Sequence, residues 1–113
     1  LEAMYLKTNQ FHVQQLVYLI ERMKSLPEGD STLLDHCMLL FCSNLFDGDR
    51  HQADEMPMIL AGGKRHLPVG SVVDVSQRPK QERKACSLYL SLMQKMGLDI
   101  QRFGDATKGL EGV

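Results

Sequence analysis

The sequence has no tryptophan, four prolines and only three cysteines among its 113 residues. Three cysteines cannot all pair, and they fit neither a C-x-x-C motif nor a Cys/His zinc spacing, so we interpret them as small buried hydrophobic residues. No apolar run approaches the roughly 18 residues that span a bilayer, and no signal-peptide pattern stands at the start. P-loop, dinucleotide-binding and Gly-x-Ser-x-Gly motifs are also missing. The sequence therefore lacks the common enzyme signatures.

Neither sign of charge dominates, since 13 basic and 14 acidic side chains leave a formal net charge of -1. Such a balance gives no broad attraction to polyanions, so we expect neither nucleic acid nor an anionic membrane as a partner. The basic cluster at 78–84 contains Glu82, and we interpret it as a solvated helix start, with phosphate or nucleic-acid binding as the alternative. With 43% hydrophobic residues, the chain can build a core, and we expect residues 1–113 to form a single α/β domain or a fragment of a larger domain. Because it begins with Leu1 inside an apparently ordered element, we expect it to be a portion of a longer protein.

Two apolar runs, at 37–42 and 58–61, flank a polar segment in the middle of the chain. Neither run alternates with polar residues, which is typical of strands covered on both faces. We therefore predict two buried strands between layers of helices, with Leu39 and Leu40 both largely buried. Any chemistry is expected in the polar loop that joins these strands.

Helical periodicity predicts two amphipathic helices, at 11–24 and 81–96. Thr8 or Asn9 is expected to cap the first helix, and Pro27 to end it. The second helix follows Pro79 and has an apolar stripe formed by Ala85, Leu88, Tyr89, Leu92 and Met96. Residues 66–75 are predicted to form a small hairpin or an edge strand, and the tail from 98 to 113 an irregular strap.

The polar loop offers candidate metal ligands in Asp47, Asp49 and His51. Carboxylate oxygens and imidazole nitrogens that follow a buried strand are the donors that a divalent metal ion requires. Asp-Gly-Asp is also ordinary turn chemistry, so a hydrogen-bonded surface loop is the alternative interpretation.

Several segments resemble, in the same order, the C-terminal third of the HxxSHH family, exported bacterial proteins of unknown function. The matching segments are Pro27-Glu28-Gly29-Asp30, Thr32-Leu33-Leu34-Asp35, Ser43-Asn44, Asp47-Gly48-Asp49-Arg50-His51, Met56-Pro57, Leu60-Ala61-Gly62-Gly63, Leu88-Tyr89-Leu90-Ser91-Leu92, Met96-Gly97 and Phe103-Gly104-Asp105. The family is distantly similar to the alkaline phosphatase and sulfatase superfamily. The resemblance implies a layered α/β/α fold like that of alkaline phosphatase, a periplasmic or secreted location, and the rest of the full-length chain as partner.

Two hypotheses for function follow. In the first, the chain is the C-terminal portion of a metal-dependent hydrolase-like protein, and Asp47, Asp49 and His51 bind or support a divalent cation opposite residues from elsewhere. In the second, it is a non-catalytic binding or structural module with a decayed metal site. The intact block Asp47-Gly48-Asp49-Arg50-His51 favours the first. Asn44 and Ala53, which replace residues that the resemblance leads us to expect, favour the second. In either case the isolated chain is not expected to be catalytic, and self-association through an exposed sheet edge is expected.

Overall fold

A long helix, α1, spans Glu2–Lys24 in a computed structural model that describes residues 2–68 and 70–113. The helix starts at Glu2 and not near residue 11, so the predicted start was wrong. Residues 2–10 contain neither proline nor glycine, and they continue the helix without a break. Thr8 does not cap the helix start, because its hydroxyl donates to the Met4 carbonyl oxygen at 3.0 Å inside the helix. The predicted end near Lys24 is confirmed.

A short hairpin and a single helical turn follow α1. Strand β1 (Pro27–Glu28) pairs antiparallel with β2 (Ser31–Thr32), and α2 (Leu33–His36) begins directly afterwards. The Asp35 carboxylate accepts hydrogen bonds from the Thr32 hydroxyl at 2.9 Å and from the Thr32 amide at 3.0 Å. The Thr32 hydroxyl, the Thr32 amide and the charge of Lys64 lower the pKa of Asp35 below its ordinary value. An ionised Asp35 thus fixes the start of α2.

The central hairpin pairs β3 (Met38–Cys42) antiparallel with β4 (Met58–Gly62), in a register that places Leu40 opposite Leu60. Both strands lie within a residue of their predicted positions. Leu39 and Leu40 are partly buried but Cys42 is exposed, so β3 is not buried along its whole length as predicted. Within the described residues this sheet has two strands. The fold is mixed α/β, built from helices and small two-stranded sheets.

The chain divides into two compact units, one ending at Arg65 and the other beginning at His66. The second unit contains a 3₁₀ turn, Lys80–Glu82, and α3, Ala85–Lys95, so the predicted single helix over 81–96 was too long. Leu90 of α3 is completely buried. The other buried residues of α3 are Ser87, Leu88 and Ser91.

The buried face of α3 differs from its predicted apolar stripe, since Met96 is 70% exposed while two serines are buried. The tail explains the difference. The Leu110 amide donates to Ser91 Oγ at 2.8 Å and to the Ser87 carbonyl oxygen at 3.1 Å, so the tail packs on the serine side of the helix. A small hydroxyl side chain allows this close approach of the backbone.

The tail from residue 98 onward is irregular, as predicted, and the ring of Phe103 meets that of Tyr89 edge to face at 6.2 Å. The described residues of 66–75 form no strand, so the predicted hairpin there was wrong; Val69 lies outside the described residues. No helix in the described part of the chain is long and apolar enough to cross a membrane. Cys37 and Cys86 are half-buried, but Cys42 is exposed, against the interpretation of buried cysteines.

Candidate functional site in the loop between β3 and β4

The loop over residues 43–57 joins two antiparallel strands, so it is a hairpin loop that begins and ends at the same end of the sheet. Its centre is a tight turn closed by a bridge between Asp47 and Gln52. The Gln52 amide donates to the Asp47 carbonyl oxygen at 3.0 Å, and the Phe46 amide donates to the Gln52 carbonyl oxygen at 2.7 Å. The polar residues therefore lie on a turn with hydrogen bonds of its own.

Asp47 holds this turn together through its side chain. One carboxylate oxygen, Oδ1, accepts hydrogen bonds from the amides of Asp49 at 3.0 Å and Arg50 at 3.2 Å. The other oxygen, Oδ2, lies 3.7 Å from Nε of Arg50. This is the local hydrogen bonding for which aspartate is favoured in turns. The alternative prediction of a hydrogen-bonded surface loop is confirmed for Asp47.

Asp49 and His51 are arranged differently, because both are exposed on the outside of the turn. His51 has a φ of 53°, a left-handed conformation in which histidine occurs more often than most residues. Within the described parts of the chain, neither side chain has a hydrogen bond or ion pair to another residue. The turn therefore presents one carboxylate and one imidazole to its surroundings, while Asp47 is engaged internally.

The structure does not bring three candidate ligands together. Among residues 2–68 and 70–113, no group of three His, Cys, Asp or Glu side chains is placed to hold a metal ion. Asp47 is already bonded to two amides and faces the guanidinium of Arg50, so it is a poor ligand in this conformation. Asp47, Asp49 and His51 thus do not fit a divalent metal ion by themselves. A shared site that includes ligands from outside this chain stays a prediction.

Two polar features were missed by the sequence predictions. Ser31 Oγ and His36 Nε2 lie within hydrogen-bond distance, 2.9 Å apart, at the two ends of the segment formed by β2 and α2. In the second unit, a cavity of about 220 Å³ lies beside the first turn of α3, and the buried Ser87 contributes to its wall. Serine inside an amphipathic helix was a visible signal, since a hydroxyl on a buried face requires a polar neighbour.

The loop has the features of a structural turn that displays a few donor groups. It has a closed backbone, an internally satisfied aspartate and two exposed side chains, one a carboxylate and the other an imidazole. Such a surface can contact a partner, but it lacks the convergent groups and the enclosure that a hydrolytic site requires. No family model, curated protein or solved structure matches this chain.

Proposed function

We propose that this chain is the non-catalytic C-terminal portion of an exported bacterial protein of the HxxSHH type, and that α1 packs against the rest of that protein. The segment-by-segment resemblance supports the family and the periplasmic or secreted location. The structural observation that carries the proposal is the surface of α1. A helix of 23 residues is about 34 Å long, yet Met23 is the one α1 residue that is buried.

Most of the large apolar side chains of α1 are exposed. They are Met4, Tyr5, Leu6, Phe11, Val13, Val17, Tyr18 and Leu19. Exposed fractions reach 73% at Met4 and 67% at Tyr18. Full burial of one such side chain contributes about 1.5–3 kcal/mol, so covering several of them would stabilise a docked helix strongly. Apolar side chains exposed in this number along one helix indicate an interaction surface.

The rest of the same protein is the occupant that the resemblance favours, because the matched segments correspond to the C-terminal third of the family. In that arrangement the β3–β4 hairpin would extend a larger sheet, since its outer edges carry no third strand within the described residues. The layered fold like that of alkaline phosphatase belongs to this proposal. In the isolated chain, the exposed apolar side chains of α1 and the sheet edges are expected to cause self-association.

Sedimentation velocity across a concentration series tests the role of α1 in the isolated chain. Leu6→Gln combined with Val13→Gln should reduce self-association, because both side chains are exposed and apolar in the wild type. Gln10→Ala with Gln14→Ala is the control on the same helix, since it changes polar side chains instead. A wild-type chain that remains monomeric at all concentrations, or association unaffected by the Leu6 and Val13 changes, would contradict the proposal.

A metal-dependent hydrolase-like activity of the whole protein is the second candidate. The observation that favours it is the exposure of Asp49 and His51 on a turn that the resemblance places near a metal site. This chain would supply one or two ligands or outer partners of the metal, and the others would come from residues elsewhere in the protein. Because few ligands are present here, the isolated chain should bind metal weakly.

Calorimetric titration with zinc, manganese and calcium separates the two candidates. Weak binding that disappears in His51→Ala, but persists in His12→Ala, supports the metal role, since His12 belongs to α1 and not to the loop. Binding that both variants retain equally would show that the heat comes from elsewhere on the chain, which would count against the loop as a metal site.

A further inference from the structure

The cavity beside the first turn of α3 lies entirely within the second unit. Its walls come from the region around the 3₁₀ turn, the start of α3, and the segment from Ala106 to Glu111. The volume of about 220 Å³ is large enough for a small ion with several waters. Its lining is more basic than the loop between β3 and β4.

Ser87 is the most informative residue of the wall. It is 5% exposed, and its amide and carbonyl are both used in backbone hydrogen bonds. Its hydroxyl has no hydrogen-bond partner among the described residues. In the described chain, every side-chain oxygen or nitrogen that solvent cannot reach has a hydrogen-bond partner. The unpartnered Ser87 hydroxyl therefore keeps some accessible surface, and we assign that surface to the cavity that Ser87 lines. A hydroxyl that is open to a cavity can donate a hydrogen bond to a polar ligand bound there.

Cationic side chains share the cavity wall with Ser87. Arg78, Lys84 and Lys108 line the cavity, together with Glu82 and Glu111. Lys84 Nζ donates a hydrogen bond to the Asp105 carbonyl oxygen at 2.7 Å and forms an ion pair with the Asp105 carboxylate at 3.4 Å. Its charge is therefore partly balanced. One guanidinium nitrogen of Arg78 donates a hydrogen bond to the Glu111 carbonyl oxygen at 3.2 Å, and its other N–H groups remain free to bind a ligand. Lys108 is exposed.

The backbone adds further donors. The amides of Thr107, Lys108 and Gly109 make no hydrogen bond to another described residue, although their neighbour Leu110 makes two. At the start of α3, no side chain caps the helix and no acidic residue lies in the first turn. The partial positive charge of this helix end is therefore not balanced locally, and it favours an anion nearby.

We propose that this cavity, with the Ser87 hydroxyl, Lys108 and Arg78 as its donors, binds a tetrahedral oxyanion such as a phosphate or sulfate group. The hydroxyl, guanidinium and ammonium groups match the acceptor oxygens of such a group. Glu82 and Glu111 reduce the net positive charge, so the affinity for the bare ion should be in the millimolar range. The site is independent of the proposed packing of α1.

Inorganic phosphate and sulfate, each exchanged for chloride at constant ionic strength, are the probes. Amide resonances of the isotopically labelled chain should show saturable shifts confined to the residues that line the cavity, among them Arg78, Ser87 and the 106–111 segment. Ser87→Ala and Lys108→Gln should each weaken binding by about tenfold, because each removes a charge-assisted donor. Lys80→Gln is the control, since it removes the same charge from a residue outside the cavity wall; its affinity should stay within about twofold of the wild type.

Two results would overturn the site. One is the absence of saturable shifts at these amides with either oxyanion. The other is equal weakening by Lys80→Gln and Lys108→Gln, which would reveal general charge attraction. If Ser87→Ala disturbs the packing of α3, the comparison of Lys108→Gln with Lys80→Gln still decides, because both lysines are exposed.

Discussion

Gly62→Ala should destabilise the first unit strongly, because Gly62 combines a left-handed backbone with close backbone neighbours. Its φ is 83°, a conformation that costs an L-residue roughly 1–2 kcal/mol. An added Cβ would lie 2.6 Å from the Leu34 carbonyl oxygen and still closer to the Cys37 carbonyl oxygen. Neither oxygen can rotate away, so the junction of α2 and β3 would have to shift, at about 1–3 kcal/mol for such overpacking. The expected total is about 2–5 kcal/mol.

Gly29→Ala is the matched control. Gly29 also has a left-handed φ, of 57°, but an added Cβ would meet no atom within 4 Å. It should therefore show the conformational cost alone, about 1–2 kcal/mol. Urea unfolding of each variant, followed by amide resonances of β3 and β4, measures the free energy of unfolding of this unit. If Gly62→Ala costs no more than Gly29→Ala, the close packing of α2 on the end of β4 is wrong.

Two further predictions concern a core residue and a carboxylate. Leu90→Ala should cost about 2–5 kcal/mol of unfolding free energy, since Leu90 is fully buried. Leu98→Ala, at a half-exposed position of the same unit, should cost much less. Equal losses of stability in thermal unfolding would contradict this packing. Asp35 has a lowered pKa, so its contribution to stability is present above the unfolded value near 3.8 and is lost as pH falls through the folded pKa. The difference in stability between wild type and Asp35→Asn, measured by urea unfolding, should therefore shrink below about pH 4. A difference that stays constant with pH would refute the role of the Thr32 hydrogen bonds. Asp30→Asn is the control, since it removes the same charge from a nearby aspartate.

The strands of the central hairpin could be predicted to within a residue because apolar runs and flanking turn residues define them locally. Their burial could not be predicted in the same way. A continuous apolar run has the same pattern in a strand between two helical layers and in a half-buried hairpin such as that around Leu40. What covers a strand is decided by contacts distant in sequence, which periodicity does not encode.

The loop between β3 and β4 is a second case in which local structure could be predicted from the sequence and contacts distant in sequence could not. Asp-Gly-Asp encodes a turn through side-chain bonds to amides two and three residues on, and Asp47 makes these bonds. Whether Asp49 and His51 serve a metal depends on residues that the spacing does not specify. Ser87 was missed because its environment comes from the tail near Leu110, far away in sequence.

Hydrogen exchange of the α1 amides tests the central claim most directly, because it reports whether this helix lacks a packing partner in the isolated chain. The measurement compares residues 2–17 of this chain, at a concentration where it is monomeric, with the same residues in the longer protein that the proposal requires. The proposal predicts rapid exchange in the isolated monomer and strong protection in the longer protein. Equal exchange of these amides in both proteins would show that α1 does not pack against the rest of the protein, and would contradict the proposal.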